Sequence, residues 1–259
     1  MDDNILWILL HPPRTAGNTI IETILKNVPR EEVFMTSLAR YGLDTEKFNK
    51  DKVRFMLGHA TYYGIHKLVP QRVPRYFILL RDPAERLVSH YNMKMQDEEK
   101  KIPFDKWYKN QIKNEMVNFL DLKFKGSESS RMRVPKFLLP LIQKVNYKKI
   151  YFAQTVAFNL LNLNKKNDTK KLENAKKLLD LCWFVGITEK SNEDFKFILN
   201  SMGLKDIQYI DDGKSKKVVK VDNKLRKKIY KENPLDIELY KYALSLREKK
   251  LREIKKSDN

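Results

Sequence analysis

The chain has 259 residues, 42% of them hydrophobic, with a formal net charge of +19 and one cysteine. That length and apolar content suit a folded domain with a sizeable core and exclude a disordered chain, while the lone Cys182 excludes an intramolecular disulfide framework and a cysteine-rich zinc site. The charge is uneven: Lys214 to Lys231 holds nine Lys or Arg against one acid, Asp222, so anionic partners are expected unless the lysines are simply solvated surface.

In chain order, the first signal is the apolar run Ile5–Leu10, followed by His11-Pro-Pro-Arg-Thr-Ala-Gly-Asn-Thr19. A continuous apolar run that ends at a loop predicts a strand buried on both faces of a parallel sheet. A helix over about Asn18–Lys26 follows. Free N–H groups and the positive end of the dipole at a helix start make an anion site. Gly17 allows close backbone approach, the N–H groups of Ala16, Gly17, Asn18 and Thr19 point inward, and the hydroxyls of Thr15 and Thr19 add donors. Arg14 adds a full positive charge. The plainer alternative is a strand–turn–helix junction capped by Asn18 or Thr15.

A strand over Val53–Leu57 ends at Gly58 and leads into His59. Another over Tyr76–Leu80 leads into Arg81-Asp-Pro-Ala-Glu-Arg-Leu-Val-Ser89. Asp82 is a good helix cap and Pro83 a good first residue for a helix over Pro83–Met95. Asp82, Arg86 and Ser89 then share one face, with Arg86 available to pair with Asp82, while Leu87, Val88 and Tyr91 turn to the core. Arg81 falls at a strand's C-terminal end, where open α/β sheets bind ligands. Two anion sites on one sheet imply a ligand with two separate phosphates.

The stretch from Lys101 to about Lys149 is lysine-rich and interrupted, and reads as a helical insertion or lid that shapes an acceptor pocket. Helices are expected near Thr169–Leu181, Asn192–Ser201 and Pro234–Lys250, with a strand at Trp183–Val185 and Cys182 in the core. Leu235, Leu239, Tyr242, Ala243 and Leu246 mark the face of the last helix that packs on the sheet. The tail over 250–259 is expected to fray. Alternating strands and helices predict one domain over 1–259: a three-layer, P-loop-like α/β fold with a parallel sheet flanked by helices.

The first loop resembles the H-x-P-K-T-[AG]-G-[TS]-[TS] signature of the PAPS-dependent carbohydrate sulfotransferases, the family of the heparan sulfate O-sulfotransferases and their bacterial relatives. The second resembles that family's R-[DN]-P-x-x-R-x-x-S-x-[YF] motif through Tyr91. Order and spacing carry the resemblance over roughly Ile5–Leu246. It implies that Arg14, Thr15, Ala16, Gly17, Asn18 and Thr19 hold the 5′-phosphosulfate of 3′-phosphoadenosine 5′-phosphosulfate (PAPS), and that Arg81 and Ser89 hold the 3′-phosphate, with Arg86 as a buttress. The chain departs from the pattern at Arg14, where the family has Lys, and at Asn18, where it has Thr or Ser. Arg keeps the charge and binds phosphate bidentately, but it does not give up a proton. Ser215, Lys216 and Lys217 stand where the family has a basic loop over the phosphates, and Phe184–Glu189 resembles a segment that closes over the cofactor.

Sulfuryl transfer to a hydroxyl is helped by a base near neutral pKa, and histidine suits the role. By resemblance to the family's G-H-x-x-[YF] segment, Gly58-His59-Ala-Thr-Tyr62 offers His59 as that base. His66 is the runner-up, His11 orients the first loop, and His90 is expected at the surface. The chain thus reads as a sulfotransferase that moves a sulfuryl group from PAPS to a carbohydrate or glycoconjugate hydroxyl by in-line displacement, leaving adenosine 3′,5′-bisphosphate and using no metal. An anionic acceptor fits the charge. A nucleotide or nucleoside kinase is a second reading, with Glu22 as the nearest acid for magnesium. A basic nucleic-acid-binding protein is a third, resting on charge alone. No specific nucleic-acid partner is expected, since no recognition motif is present. No apolar run reaches membrane-span length, and the N-terminal run lacks signal-peptide features. A cytoplasmic protein with at most peripheral membrane contact is therefore expected.

Overall fold

The computed structural model describes residues 4–36, 49–96, 98, 101–124, 168–204, 207 and 218–257. Five parallel strands form one sheet in the order β2-β3-β1-β4-β5, where β1 is Ile5–Leu10, β2 Val33–Met35, β3 Phe55–Leu57, β4 Val73–Leu80 and β5 Phe184–Ile187. The helices among these residues are α1 (Gly17–Asn27), α2 (Pro83–Met95), α3 (Phe104–Lys109), α4 (Glu115–Phe124), α5 (Asp168–Leu181), α6 (Ser191–Ser201), α7 (Asn223–Glu232) and α8 (Pro234–Ser257).

The alternation of strand side chains divides the apolar runs between two layers. From β1, Leu6, Ile8 and Leu10 face a core closed by Val117 and Leu120 of α4, Leu178 of α5 and Leu239 and Ala243 of α8. Ile5, Trp7 and Leu9 face the opposite core, with Ile20 and Ile24 of α1 and Ile198 of α6. Every β1 residue is buried, which is why the run carries no polar alternation. The third cluster packs α2 against α3 and α7, through Leu87, Tyr91, Trp107 and Ile229.

Several boundaries differ from those expected, each for a local reason. β2 is absent from the sequence reading because three apolar residues follow Arg30-Glu-Glu directly, and β2 is an edge strand. β4 starts three residues before the apolar run, because Pro74 and Arg75 interrupt the pattern without ending the pairing with β1. The Arg75 guanidinium lies 5.3 Å from the centre of the Trp7 ring and 5.7 Å from that of Trp183, so a charged residue is held on aromatic faces. α7 lies inside the basic segment, where only Ile229 is buried. The last helix continues to Ser257, where fraying from 250 was expected.

The stretch 101–124 holds α3 and α4. α3 covers α2, while Met116, Val117 and Leu120 of α4 are core residues; the remainder of the expected insertion lies outside the described residues. α4 and α8 cap each other. Asp236 accepts from the Met116 and Val117 N–H groups at 3.2 and 2.9 Å, and Asn114 Oδ1 accepts from Leu235 and Asp236 at 3.0 and 3.3 Å. Cys182 is buried as expected, its thiol donating to the Leu178 carbonyl at 3.3 Å.

α6, α8 and β5 are joined by one buried ion pair. Arg247 of α8 donates to Asp194 Oδ1 from Nη2 at 2.6 Å and from Nε at 2.8 Å, with Nε also 3.0 Å from Oδ2, and Asp194 Oδ2 accepts the Ile187 N–H at 2.7 Å. Both side chains are essentially inaccessible. Asp194→Ala would remove the buried partner while Glu193 and Glu248 stay on the guanidinium's outer side, and should cost about 3 kcal/mol, the low end for a broken buried pair, read as a lowered urea midpoint with an unchanged slope.

Candidate active site

Parallel pairing of β1 with β4 brings the loops after both strands to one edge of the sheet. After β1, two non-glycine residues adopt left-handed backbone, Arg14 at φ 66° and Ala16 at φ 63°. Such residues cost about 1–3 kcal/mol each and collect at ligand sites. Ala16 is the N-cap of α1, and its side chain makes no capping bond. The N-cap is thus neither Asn18 nor Thr15, and an alanine there does not supply the acceptor that a Ser, Thr, Asp or Asn would, as suits an anion site.

The structure reassigns two residues of this loop. The Thr15 hydroxyl donates to the Pro12 carbonyl at 2.9 Å and is fully buried, so it shapes the loop rather than serving as a free donor. Gly17 is demanded by His11: a Cβ there would lie 2.3 Å from His11 Cδ2. The glycine therefore makes room for an imidazole beneath the helix start. Asn18 is exposed and Thr19 half-buried, both on the first turn.

The second motif folds as its residues predict at the helix start. Asp82 Oδ1 accepts from the Ala84 and Glu85 N–H groups, each at 3.0 Å, with Pro83 at the first helical position. Arg86 does not pair with Asp82. It bonds Glu115 of α4 at 2.8 Å, while Asp82 pairs with Arg226 of α7 at 2.8 Å and accepts a short bond from the Tyr230 hydroxyl. Burial pushes the Glu115 carboxyl up, but the charge and hydrogen bond of Arg86 prevail and hold it below the usual carboxylate range. His90 is not at the surface: it lies edge-on to Trp107 at 5.5 Å, and burial lowers it to about 4 despite Glu115.

The two motifs meet directly. Arg14 donates to Ser89 Oγ from Nε at 3.1 Å and from Nη2 at 2.9 Å. As Ser89 Oγ accepts both bonds, its own proton remains available to donate elsewhere. The segment after β5 completes the edge. Thr188 Oγ1 is 3.0 Å from both the Thr15 and Leu80 carbonyls, tying three strand ends together. Glu189 accepts from the Asp82 N–H at 3.1 Å and from the Tyr240 hydroxyl at 3.0 Å, and lies 4.0 Å from Arg81. Arg81, Arg226, Thr188, Glu189 and Tyr240 line an open cleft of about 280 Å³. Sequence reading singled out neither Arg226 nor Tyr240; both come from the C-terminal helices, with no local motif to mark them. Ser215, Lys216 and Lys217 lie outside the described residues.

His59 lies at the neighbouring strand end. Gly58, at φ 118°, fits against the Thr36 carbonyl, which a Cβ would meet at 1.9 Å. Thr61 Oγ1 lies 2.5 Å from the Leu9 carbonyl and pins this turn to β1. The His59 ring stacks on His11, with centroids 4.0 Å apart and planes 18° apart, and its Nδ1 is 3.1 Å from the His11 carbonyl. Since a carbonyl only accepts, Nδ1 carries the proton and Nε2 keeps its lone pair. Burial lowers the His59 pKa, against the effect of that carbonyl, and Lys123 lowers it further. His66, the alternative base, instead contacts the Tyr76 hydroxyl at 2.8 Å, four residues before the end of β4 and away from the loop edge.

A parallel sheet with an uncapped helix start beside a second arginine site defines a phosphate- or sulfate-handling α/β protein. Residues 14–243 match the family model described as the Sulfotransferase family, and the chain belongs to that family. Its chemistry is sulfuryl transfer, which sets aside the kinase and nucleic-acid readings. Among solved structures, the chain is similar to a sulfotransferase from Alicyclobacillus acidocaldarius at 12% identity, covering 93% of this chain and 95% of that one, with a TM-score of 0.43. It is also similar to mouse sulfotransferase SULT7A1 complexed with PAP, at 16% identity over 89% of this chain and 64% of that one, with a TM-score of 0.34. No curated protein matches. No helix among the described residues is long and apolar enough to cross a membrane.

The fit of Gly17 against His11 can be tested by a double-mutant cycle. Gly17→Ala should cost about 1–3 kcal/mol through overpacking. In a His11→Ala background the same change should cost much less, and equal costs would show that the ring does not dictate the glycine.

Proposed function

We propose that this chain transfers a sulfuryl group from PAPS to a hydroxyl of a carbohydrate or glycoconjugate, with His59 as general base. The observation that carries the reading is the double hydrogen bond from Arg14 to Ser89, which joins the uncapped start of α1 to the motif holding Arg81. Two anion sites so close together suit one ligand with phosphates at two positions. The first-turn N–H groups of α1 and Arg14 would hold the 5′ end; Arg81 and the free Ser89 proton would hold the 3′-phosphate. PAPS, when bound, supplies the sulfuryl group.

The chain's residues account for the rest. Arg14 places fixed positive charge where negative charge develops as the 5′ oxygen leaves, without giving up a proton. His59 keeps Nε2 unprotonated at neutral pH and can take the acceptor hydroxyl's proton, while its Nδ1 contact with the His11 carbonyl holds the ring. The positive charge of the chain suits an anionic acceptor.

Arg81→Ala should weaken adenosine 3′,5′-bisphosphate binding by roughly 10- to 100-fold, the value of a charged hydrogen bond, and leave AMP binding nearly unchanged. Calorimetry would show this, and equal losses for the two nucleotides would remove Arg81 from the 3′-phosphate. His59→Ala should lower kcat by roughly 10²–10⁴-fold with little change in bisphosphate affinity. Because the base works unprotonated and its pKa is lowered, kcat should be flat above pH 6.5, the ordinary histidine value, and fall only below it. A profile falling from pH 8 downwards would contradict the assignment.

A further inference from the structure

We propose that Lys123 is a positioning residue for the histidine pair: its side-chain nitrogen anchors the His59 main chain and stands beside the two stacked rings as a third basic group competing with them for one proton. The inference rests on the reading of His59 as base and extends it to a residue that no sequence motif marks.

Lys123 lies in the last turn of α4 and is only 5% exposed. A buried lysine is rare and needs a partner. Its Nζ donates to the His59 carbonyl at 2.5 Å and lies 5.1 Å from the centre of the Phe119 ring. Its own carbonyl accepts the Tyr63 N–H at 3.0 Å, so α4 is fixed to the 58–63 turn from both ends of this residue. The nearest carboxylate along α4, Asp121, is bonded to Asn174 Nδ2 at 2.7 Å, which directs it toward α5.

Burial is the largest effect on both rings, and among the described residues the charged groups acting on them are each other and this ammonium. Three basic groups share one buried site, and a second proton there is opposed by the first. Burial brings Lys123 down to about 7, whereas His11 and His59 are lowered from an already smaller value. As pH falls through neutrality, the first proton therefore goes to Lys123. Its charge then holds protons off the rings, and His59 Nε2 stays able to accept.

The test is a titration of the intact protein labelled with ¹³C at histidine Cε1 and lysine Cε, followed by NMR. In wild type, Lys123 should titrate near pH 7 while the His59 ring stays neutral until lower pH; a His59 ring that takes its proton first overturns the proposal without any variant. Lys123→Met should raise the His59 midpoint by part of its depression, burial keeping the rest, and Lys123→Arg should leave it low. A folded Lys123→Met protein with an unmoved His59 midpoint also overturns it. If the midpoint moves while the kcat–pH profile does not follow, Lys123 keeps its role and His59 ceases to be the base.

Discussion

The parallel pairing of β1 with β4, in register from Ile5↔Val73 to Leu10↔Ile78, decides where charge can gather in this protein. Parallel strands end at the same edge, so the loops carrying Arg14 and Arg81 must emerge side by side. Joined through Arg14 and Ser89, and clipped by Thr188 across three strand ends, they form one surface. The rest of the fold serves that edge: two apolar layers keep the strands flat against their helices, and the Arg247–Asp194 pair holds β5, with Thr188 and Glu189, in place.

Much of this was legible in the sequence because the informative residues are local. Ile5–Leu10 has no polar alternation, a pattern that only a strand buried on both faces tolerates. Asp82 and Pro83 mark a helix start whatever surrounds them, and α2 occupies the residues expected. What escaped depends on contacts between distant segments. Arg86 was available to Asp82 by spacing, but α4 places Glu115 against it and α7 places Arg226 against Asp82. His90 looks solvated among Arg86 and Lys94 until α3 covers it with Trp107. α7 was hidden by its charge, since one buried residue, Ile229, gives too little periodicity to notice.

Gly17 and Thr15 teach the same lesson within a motif. Both belong to the loop after β1, yet one is a glycine because an imidazole sits beneath it, and the other turns its hydroxyl inward to close the loop. A loop that binds anions must first hold its own shape, at φ values that Arg14 and Ala16 would otherwise avoid. The stacked histidines extend this economy. Gly17 is fitted to the His11 ring and His59 stacks on that ring, so the loop after β1 and the proposed base are set by the same imidazole.

The central claim, that one ligand bridges both loops, is tested most directly by a crystal structure with adenosine 3′,5′-bisphosphate. The account predicts the 5′-phosphate on the first-turn N–H groups of α1 and the 3′-phosphate between Arg81 and Ser89, in a single molecule. A bisphosphate bound at one loop only, or with its two phosphates exchanged between them, would contradict it.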